Sequence, residues 1–167
     1  MQVKILPIMV CLLVVLGVFA ASAADYQDWV PLLPANISGL DKSGSPDGAN
    51  LEQSGRSWSF MHQDYADDAG NNIRLSVVGG DSAPQMQQFQ SMQQLSMETE
   101  DRIVKSEEVS GFKAFFEFHK TESKGTLMIA ANDQTLVIIE ADPVADANKL
   151  VSLGDEVPLQ DIAATGK

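Results

Sequence analysis

Apolar and polar residues alternate along much of the chain with a period of two, the pattern of strands that present two different faces. Residues 56–62 follow this pattern, and residues 73–77 repeat it after a stretch at 67–72 that is rich in Asp, Asn and Gly. Two alternating segments joined by turn-forming residues predict a β-hairpin.

A helical period follows the hairpin. Ser82 is predicted to cap the helix, with Pro84 in the first turn and Gln85 completing a capping box. Apolar residues then recur at helical spacing over residues 86–97, which predicts one amphipathic helix of about four turns. The sequence Gly80-Asp81-Ser82 also matches the serine motif of some hydrolases. Because Pro84 lacks a backbone donor where an oxyanion hole would form, the cap is the preferred interpretation.

The alternation returns after residue 100. It predicts four further strands, at residues 103–109, 112–121, 126–131 and 135–141. Since the linkers between them are short, neighbouring strands should be antiparallel. In the second of these strands, Phe116 and Phe118 share one face, whereas Phe115 lies on the other. Residues 136–139 are apolar on both faces, as expected of a central strand that is covered on both sides.

The C-terminal part of the chain is predicted to form two helices, at residues 143–153 and 159–164. Residues 24–55, by contrast, are so rich in Gly, Ser, Pro and Asp that they are predicted to be an irregular N-terminal segment, with a loop at 41–50. Residues 56–167 are predicted to form a single α+β domain. The expected architecture is a twisted antiparallel sheet of about six strands, in the order β-β-α-β-β-β-β-α, with the helices packed on one face.

The first 23 residues have the anatomy of a cleavable signal peptide for export. Lys4 precedes an uncharged apolar run that ends in small residues, among which Ala21 and Ala23 fit the small-x-small motif of signal peptidase. Cleavage is predicted after Ala23, which would place the protein in the periplasm or outside the cell, with no stable membrane insertion. The alternative is an uncleaved anchor, since the run is long enough to span a bilayer. Pro7 and the Ala-rich end favour cleavage.

The charge of the chain narrows the classes of partner. Lys4 is the only charged side chain before Asp25, so the mature chain carries 10 Lys and Arg against 23 Asp and Glu, a formal net charge of −13. Such a surface repels phosphate backbones and anionic lipids, which argues against nucleic acid as a partner. The one cysteine, Cys11, lies in the signal, so a mature domain without cysteine is expected to have neither a disulfide nor a thiol nucleophile.

Two histidines are the candidate site residues. By alternation, His62 shares a face with Phe60, and His119 shares one with Glu117. If neighbouring strands brought the histidines together with Asp64 or Glu117, they could bind a metal or act in a hydrolase. An isolated histidine on a strand is more often a surface residue. No catalytic, cofactor-binding or metal-binding residue is therefore assigned, and no cofactor is expected.

Two stretches carry a resemblance to known proteins. Residues 33–40 read Leu-Pro-Ala-Asn-Ile-Ser-Gly-Leu, and residues 65–73 read Tyr-Ala-Asp-Asp-Ala-Gly-Asn-Asn-Ile. With the closing strand pair and terminal helix, they resemble a family of small exported bacterial proteins of unknown role. The resemblance implies an envelope protein with helices packed on a sheet, similar in architecture to the PsbP/Mog1 fold. It carries over no functional residue.

The preferred function is a non-enzymatic binding or accessory module of the envelope. Its partner would be an envelope protein, a peptide or an apolar small molecule, bound through the sheet face or an exposed edge strand. The alternative is a small hydrolase or a metal-handling envelope protein that uses His62 and His119 with carboxylates. An exposed patch of Trp58 and Phe115 would favour the binding module, and adjacent histidines would favour the alternative.

Intact-mass analysis of the protein from its native host checks the export signal. The mature chain is expected to begin at Ala24, because cleavage follows Ala23, and to be recovered from the envelope or the medium. A product that retains Met1 and fractionates with the cytosol would contradict this expectation.

Overall fold

One antiparallel sheet of nine strands organises residues 24–80 and 83–165, the part of the chain that the computed structural model describes. The strands are β1 (Asn36–Ile37), β2 (Leu40–Gln53), β3 (Arg56–Ala66), β4 (Asn72–Gly79), β5 (Met97–Glu98), β6 (Arg102–Val109), β7 (Phe112–His119), β8 (Lys124–Ala130) and β9 (Thr135–Asp142). Their order in the sheet is β1-β2-β3-β4-β9-β8-β7-β6-β5. The predicted signal peptide at residues 1–23 lies outside the described residues.

Four short helices pack on this sheet in the described part of the chain. They are α1 (Tyr26–Trp29), which continues into a 3₁₀ turn at Val30–Leu32, α2 (Pro84–Met92), α3 (Ala147–Leu153), which continues into a 3₁₀ turn at Gly154–Glu156, and α4 (Leu159–Thr165). The α+β class and the antiparallel sheet are therefore confirmed. The expected count of about six strands is wrong, since nine strands are present in the described residues.

Helices cover both faces of the sheet, which corrects the expectation that they pack on one face. Val137 and Ile139 of β9 join a core cluster with Leu150 of α3 and Ile162 of α4. Leu136 and Ile138, which alternate with them, join a second cluster with Met86 and Phe89 of α2. Both faces of the sheet are covered because β9 is apolar on both of its faces, and apolar side chains on each face must be shielded from water. We call the α3 and α4 side the first face and the α2 side the second face.

The N-terminal segment is not irregular, contrary to the prediction for residues 24–55. Strand β2 pairs with β3 from Asp41 opposite Ala66 to Gln53 opposite Arg56, with one register shift between Ser43 and Asp47. Gly44 takes a φ of 78° inside this shift. A strand near the sheet edge tolerates Gly, Pro and a bulge because one side of its backbone need not join a ladder. Pairing with β3, and not local composition, makes this segment a strand.

A buried glutamine holds the irregular part of β2 in place. Gln63 of β3 is 1% exposed, and its Nε2 donates to the carbonyl oxygens of Ser43 and Gly44, each at 3.3 Å. These carbonyls lie where the register shift interrupts regular pairing with β3. The side-chain amide thus replaces ladder hydrogen bonds that the bulge removes.

Helix α2 is shorter than the predicted four turns. It begins at Pro84 with Ala83 in the N-cap position and no side-chain cap hydrogen bond, so the predicted cap is one residue too early. Ser82 itself lies outside the described residues. Met97, predicted on the apolar helix face, pairs instead with Val104 in the short edge strand β5. Met97 therefore belongs to a strand, and Leu95 lies exposed between the helix and this strand, so their helical spacing was misleading.

The β3–β4 turn is closed by one aspartate. The Asp67 carboxylate accepts hydrogen bonds from the backbone N–H groups of Ala69 and Asn71, at 2.9 and 3.0 Å. The side-chain amide of Asn71 is a further donor, and it lowers the pKa of Asp67 below its ordinary value. These bonds confirm the predicted hairpin and account for its Asp, Asn and Gly content.

Two aromatic residues tie the N-terminal chain to the first face. Trp29 is fully buried and packs over Gly79, where an added Cβ would lie 2.6 Å from the indole ring. Tyr65 is also fully buried, and its hydroxyl donates to the carbonyl oxygen of Pro34 at 2.9 Å. Burial raises the pKa of Tyr65 from its ordinary value of 10.0 to about 12.

Replacement of Tyr65 by phenylalanine should lower stability at neutral pH and remove one source of alkaline unfolding. Loss of the bond to Pro34 is expected to cost about 1 kcal/mol. Because the folded-state pKa of Tyr65 is raised, its contribution is complete below pH 10 and is lost as the pH rises towards 12. The difference in the free energy of unfolding between wild type and Tyr65→Phe should therefore be about 1 kcal/mol smaller at pH 11 than at neutral pH.

Urea unfolding at pH 8 and pH 11 measures this difference. Parallel losses of free energy in the two proteins on going to pH 11 would show that Tyr65 does not contribute in this way.

Candidate functional site

Helix α2 covers only part of the second face. Met86 and Phe89 are buried in the cluster that contains Leu136, Ile138 and Phe115. A helix of nine residues is about 14 Å long, whereas the five strands from β3 to β7 span about 19 Å at their usual spacing. The part of this face beside the helix is therefore left open.

The open part forms a groove of about 400 Å³ between α2 and the sheet, which we call the α2 groove. One wall comes from a single face of the helix, since Gln85, Gln88 and Met92 recur at helical spacing. Its apolar floor is formed by partly or fully buried side chains of five strands, Phe60, Val78, Phe115, Met128 and Ile138. The helix thus supplies amides and a thioether, and the sheet supplies hydrocarbon.

Strand register arranges the floor and outer side of the groove in two rows. The inner row crosses from β3 to β7 through directly paired residues, His62, Ser76, Ile138, Met128 and Phe115. The outer row lies two residues further along each strand and consists of Asp64, Arg74, Glu140, Thr126 and Glu117. Of the outer row, Glu140, Thr126 and Glu117 line the groove, whereas Asp64 and Arg74 lie beyond its lining. The groove therefore has a mainly apolar floor and a polar border that contains two carboxylates.

Most charges in and near the outer row are paired. The Arg74 guanidinium donates to both oxygens of Asp64, at 2.7 and 3.1 Å, and this pairing lowers the pKa of Asp64. Glu117 accepts from Arg102 and lies 3.0 Å from the Nε2 atom of His119. Asp64 and Glu117 are therefore already engaged by cations of the protein.

Glu140 differs from these carboxylates. It is exposed at the border of the groove, opposite Arg74 on one side and Thr126 on the other. The Arg74 guanidinium is hydrogen-bonded to Asp64. Among the described residues, Glu140 has neither an ion-pair partner nor a side-chain hydrogen bond. Arg74 interacts with Glu140 electrostatically but not as a direct ion pair, so the carboxylate oxygens of Glu140 are open to hydrogen bonds from a bound molecule.

The two histidines lie on the second face but far apart. His62 is on β3 and His119 is on β7, with β4, β9 and β8 between them. Four strand spacings separate them by about 19 Å across the sheet. In residues 24–80 and 83–165, no group of three or more His, Cys, Asp and Glu could hold a metal ion. The structure therefore does not bring together the residues that the hydrolase and metal hypotheses required.

The expected patch of exposed Trp58 and Phe115 is also not formed. Phe115 is 3% exposed and lies in the cluster beneath α2, while Trp58 is partly buried beside the same cluster. Accessible apolar surface comes instead from residues of intermediate burial, among them Phe60, Met92 and Met128. The two-residue period of the sequence indicates on which face of the sheet Met128 lies. Only the position of α2 shows that Met128 borders a groove.

No family model, curated protein or solved structure matches this chain. None of the helices within the described ranges has the length and hydropathy needed to cross a membrane. Function must therefore be inferred from the geometry and chemistry of the α2 groove.

Proposed function

We propose that this protein is an exported, non-enzymatic binding module that holds a small, elongated ligand in the α2 groove. The observation that carries the proposal is the groove itself, with its apolar floor and a polar border along one side. Its volume of about 400 Å³ falls in the usual range of small-molecule sites. A folded protein partner would need a larger complementary surface than this groove offers.

The shape of the groove favours an elongated ligand. Its inner row runs from His62 to Phe115 across five strands. This path is about 19 Å long at ordinary strand spacing. An apolar stem can follow the path with Ile138 and Met128 beneath it and Met92 of the helix beside it.

Binding explains the ionisable groups better than catalysis does. General acid–base chemistry needs a carboxylate or imidazole in a desolvated position beside the reacting atoms. Glu117 and His119 instead pair with each other on an open part of the sheet, with side-chain exposures of 28% and 39%. The predicted signal peptide and the acidic, cysteine-free chain after it support a location in the periplasm or outside the cell.

A neutral fluorescent probe tests the proposed groove. N-phenyl-1-naphthylamine is expected to bind the purified protein with saturable fluorescence enhancement at one site. Ser76 is a small residue in the inner row, so Ser76→Leu places a larger side chain in the groove. This change should weaken probe binding at least about tenfold, because it removes space from the site.

The matched control is Ser45→Leu, the same substitution at an exposed position of β2 outside the groove. It should leave probe affinity unchanged. Absence of probe binding, or equal affinity in wild type and Ser76→Leu with intact folding by circular dichroism, would contradict the proposal.

A further inference from the structure

We infer that the ligand of the α2 groove carries an ammonium group at one end of an apolar stem, and that Glu140 binds this group. The inference rests on the proposed function and names the chemistry of the ligand. It concerns a small alkylamine-type molecule, since the groove has the volume of a small-molecule site.

The Glu140 carboxylate at the border of the groove has no ion-pair partner among the described residues. Arg74 lies directly opposite it on β4 and interacts with it electrostatically, but not as a direct ion pair. Asp64 already takes the Nε and Nη2 donors of Arg74. A ligand cation can form charge-assisted hydrogen bonds with such a carboxylate, because it supplies both a positive charge and N–H donors.

A second acceptor lies beside Glu140 at the border of the groove. Thr126 is the cross-strand partner of Glu140 on β8, and both line the groove, so a hydroxyl oxygen lies beside the carboxylate. An ammonium group has three N–H donors and no acceptor. Its donors can therefore be shared between the Glu140 carboxylate and the Thr126 hydroxyl.

Glu140 lies close to the hydrocarbon floor of the groove. Ile138 precedes it by two residues on the same face of β9, and Met128 is the cross-strand partner of Ile138. Two residues along a strand correspond to about 7 Å. An ammonium group at Glu140 therefore leaves its alkyl stem over Ile138 and Met128.

The net charge of the whole molecule also favours a cationic ligand. The full chain has a formal net charge of −12. A surface of this sign concentrates cations near it and repels anions. The local and the overall charge thus select the same kind of ligand end group.

Three eight-carbon probes with different end groups test the inference by displacement of N-phenyl-1-naphthylamine at pH 7.5. Octylammonium should bind at least about tenfold more tightly than octanol, and octanoate should bind most weakly, because the ammonium group supplies both a positive charge and donors to Glu140 whereas the carboxylate is repelled by it. In Glu140→Gln, octylammonium affinity should fall to that of octanol, while octanol affinity stays unchanged. Added salt should weaken octylammonium binding alone.

The control variant Glu52→Gln removes the same charge from an exposed position near the end of β2, outside the groove. It should preserve the order of the three probes. Equal affinities of octylammonium and octanol, or undiminished octylammonium binding by folded Glu140→Gln, would overturn the inference while leaving the groove as a binding site. Failure of both octanol and the fluorescent probe to bind wild type would instead overturn the proposed function.

Discussion

Strand β9 imposes the constraint on which the rest of the structure depends, because its residues 136–139 are apolar on both faces. Such a strand must lie in the interior of a sheet, and both faces of that sheet must be covered. The chain meets this requirement with four short helices in its described part. On the second face α2 covers only part of the sheet, and the α2 groove lies beside it.

The helices are divided unequally between the two faces of the sheet. As a result, one face forms a closed core and the other carries the groove that we propose as the binding site. The first face receives α1, α3, α4 and the N-terminal chain, and small residues allow close contact there: Gly79 lies under Trp29, and a Cβ at Gly125 would collide with Leu150. Of the helices in the described part of the chain, only α2 packs on the second face. The first face is consequently a closed core, whereas the second has a groove with accessible hydrocarbon beside ionisable groups.

Charge pairing on the second face gives that groove its chemical character. Asp64 and Glu117 are engaged by Arg74 and Arg102, and such half-exposed pairs contribute little to stability. Of the two carboxylates that line the groove, Glu117 is thus paired, whereas Glu140 has no ion pair among the described residues. A single unpaired charge next to an apolar floor is a more selective feature than the acidic composition of the whole chain, which attracts any cation.

The local pattern of the sequence by itself determined most strands and their faces, since the two-residue period is a property of the extended backbone. It placed Phe115 on one face of its strand and Phe116 and Phe118 on the other face, and it identified the central strand. The two core clusters confirm both predictions. Only tertiary structure decided that the Gly- and Pro-containing β2 is a strand, because β3 supplies its hydrogen-bond partners. Strand order likewise set β4, β9 and β8 between His62 and His119, and the short α2 left the groove open. These features depend on long-range pairing and packing, which a local period does not encode.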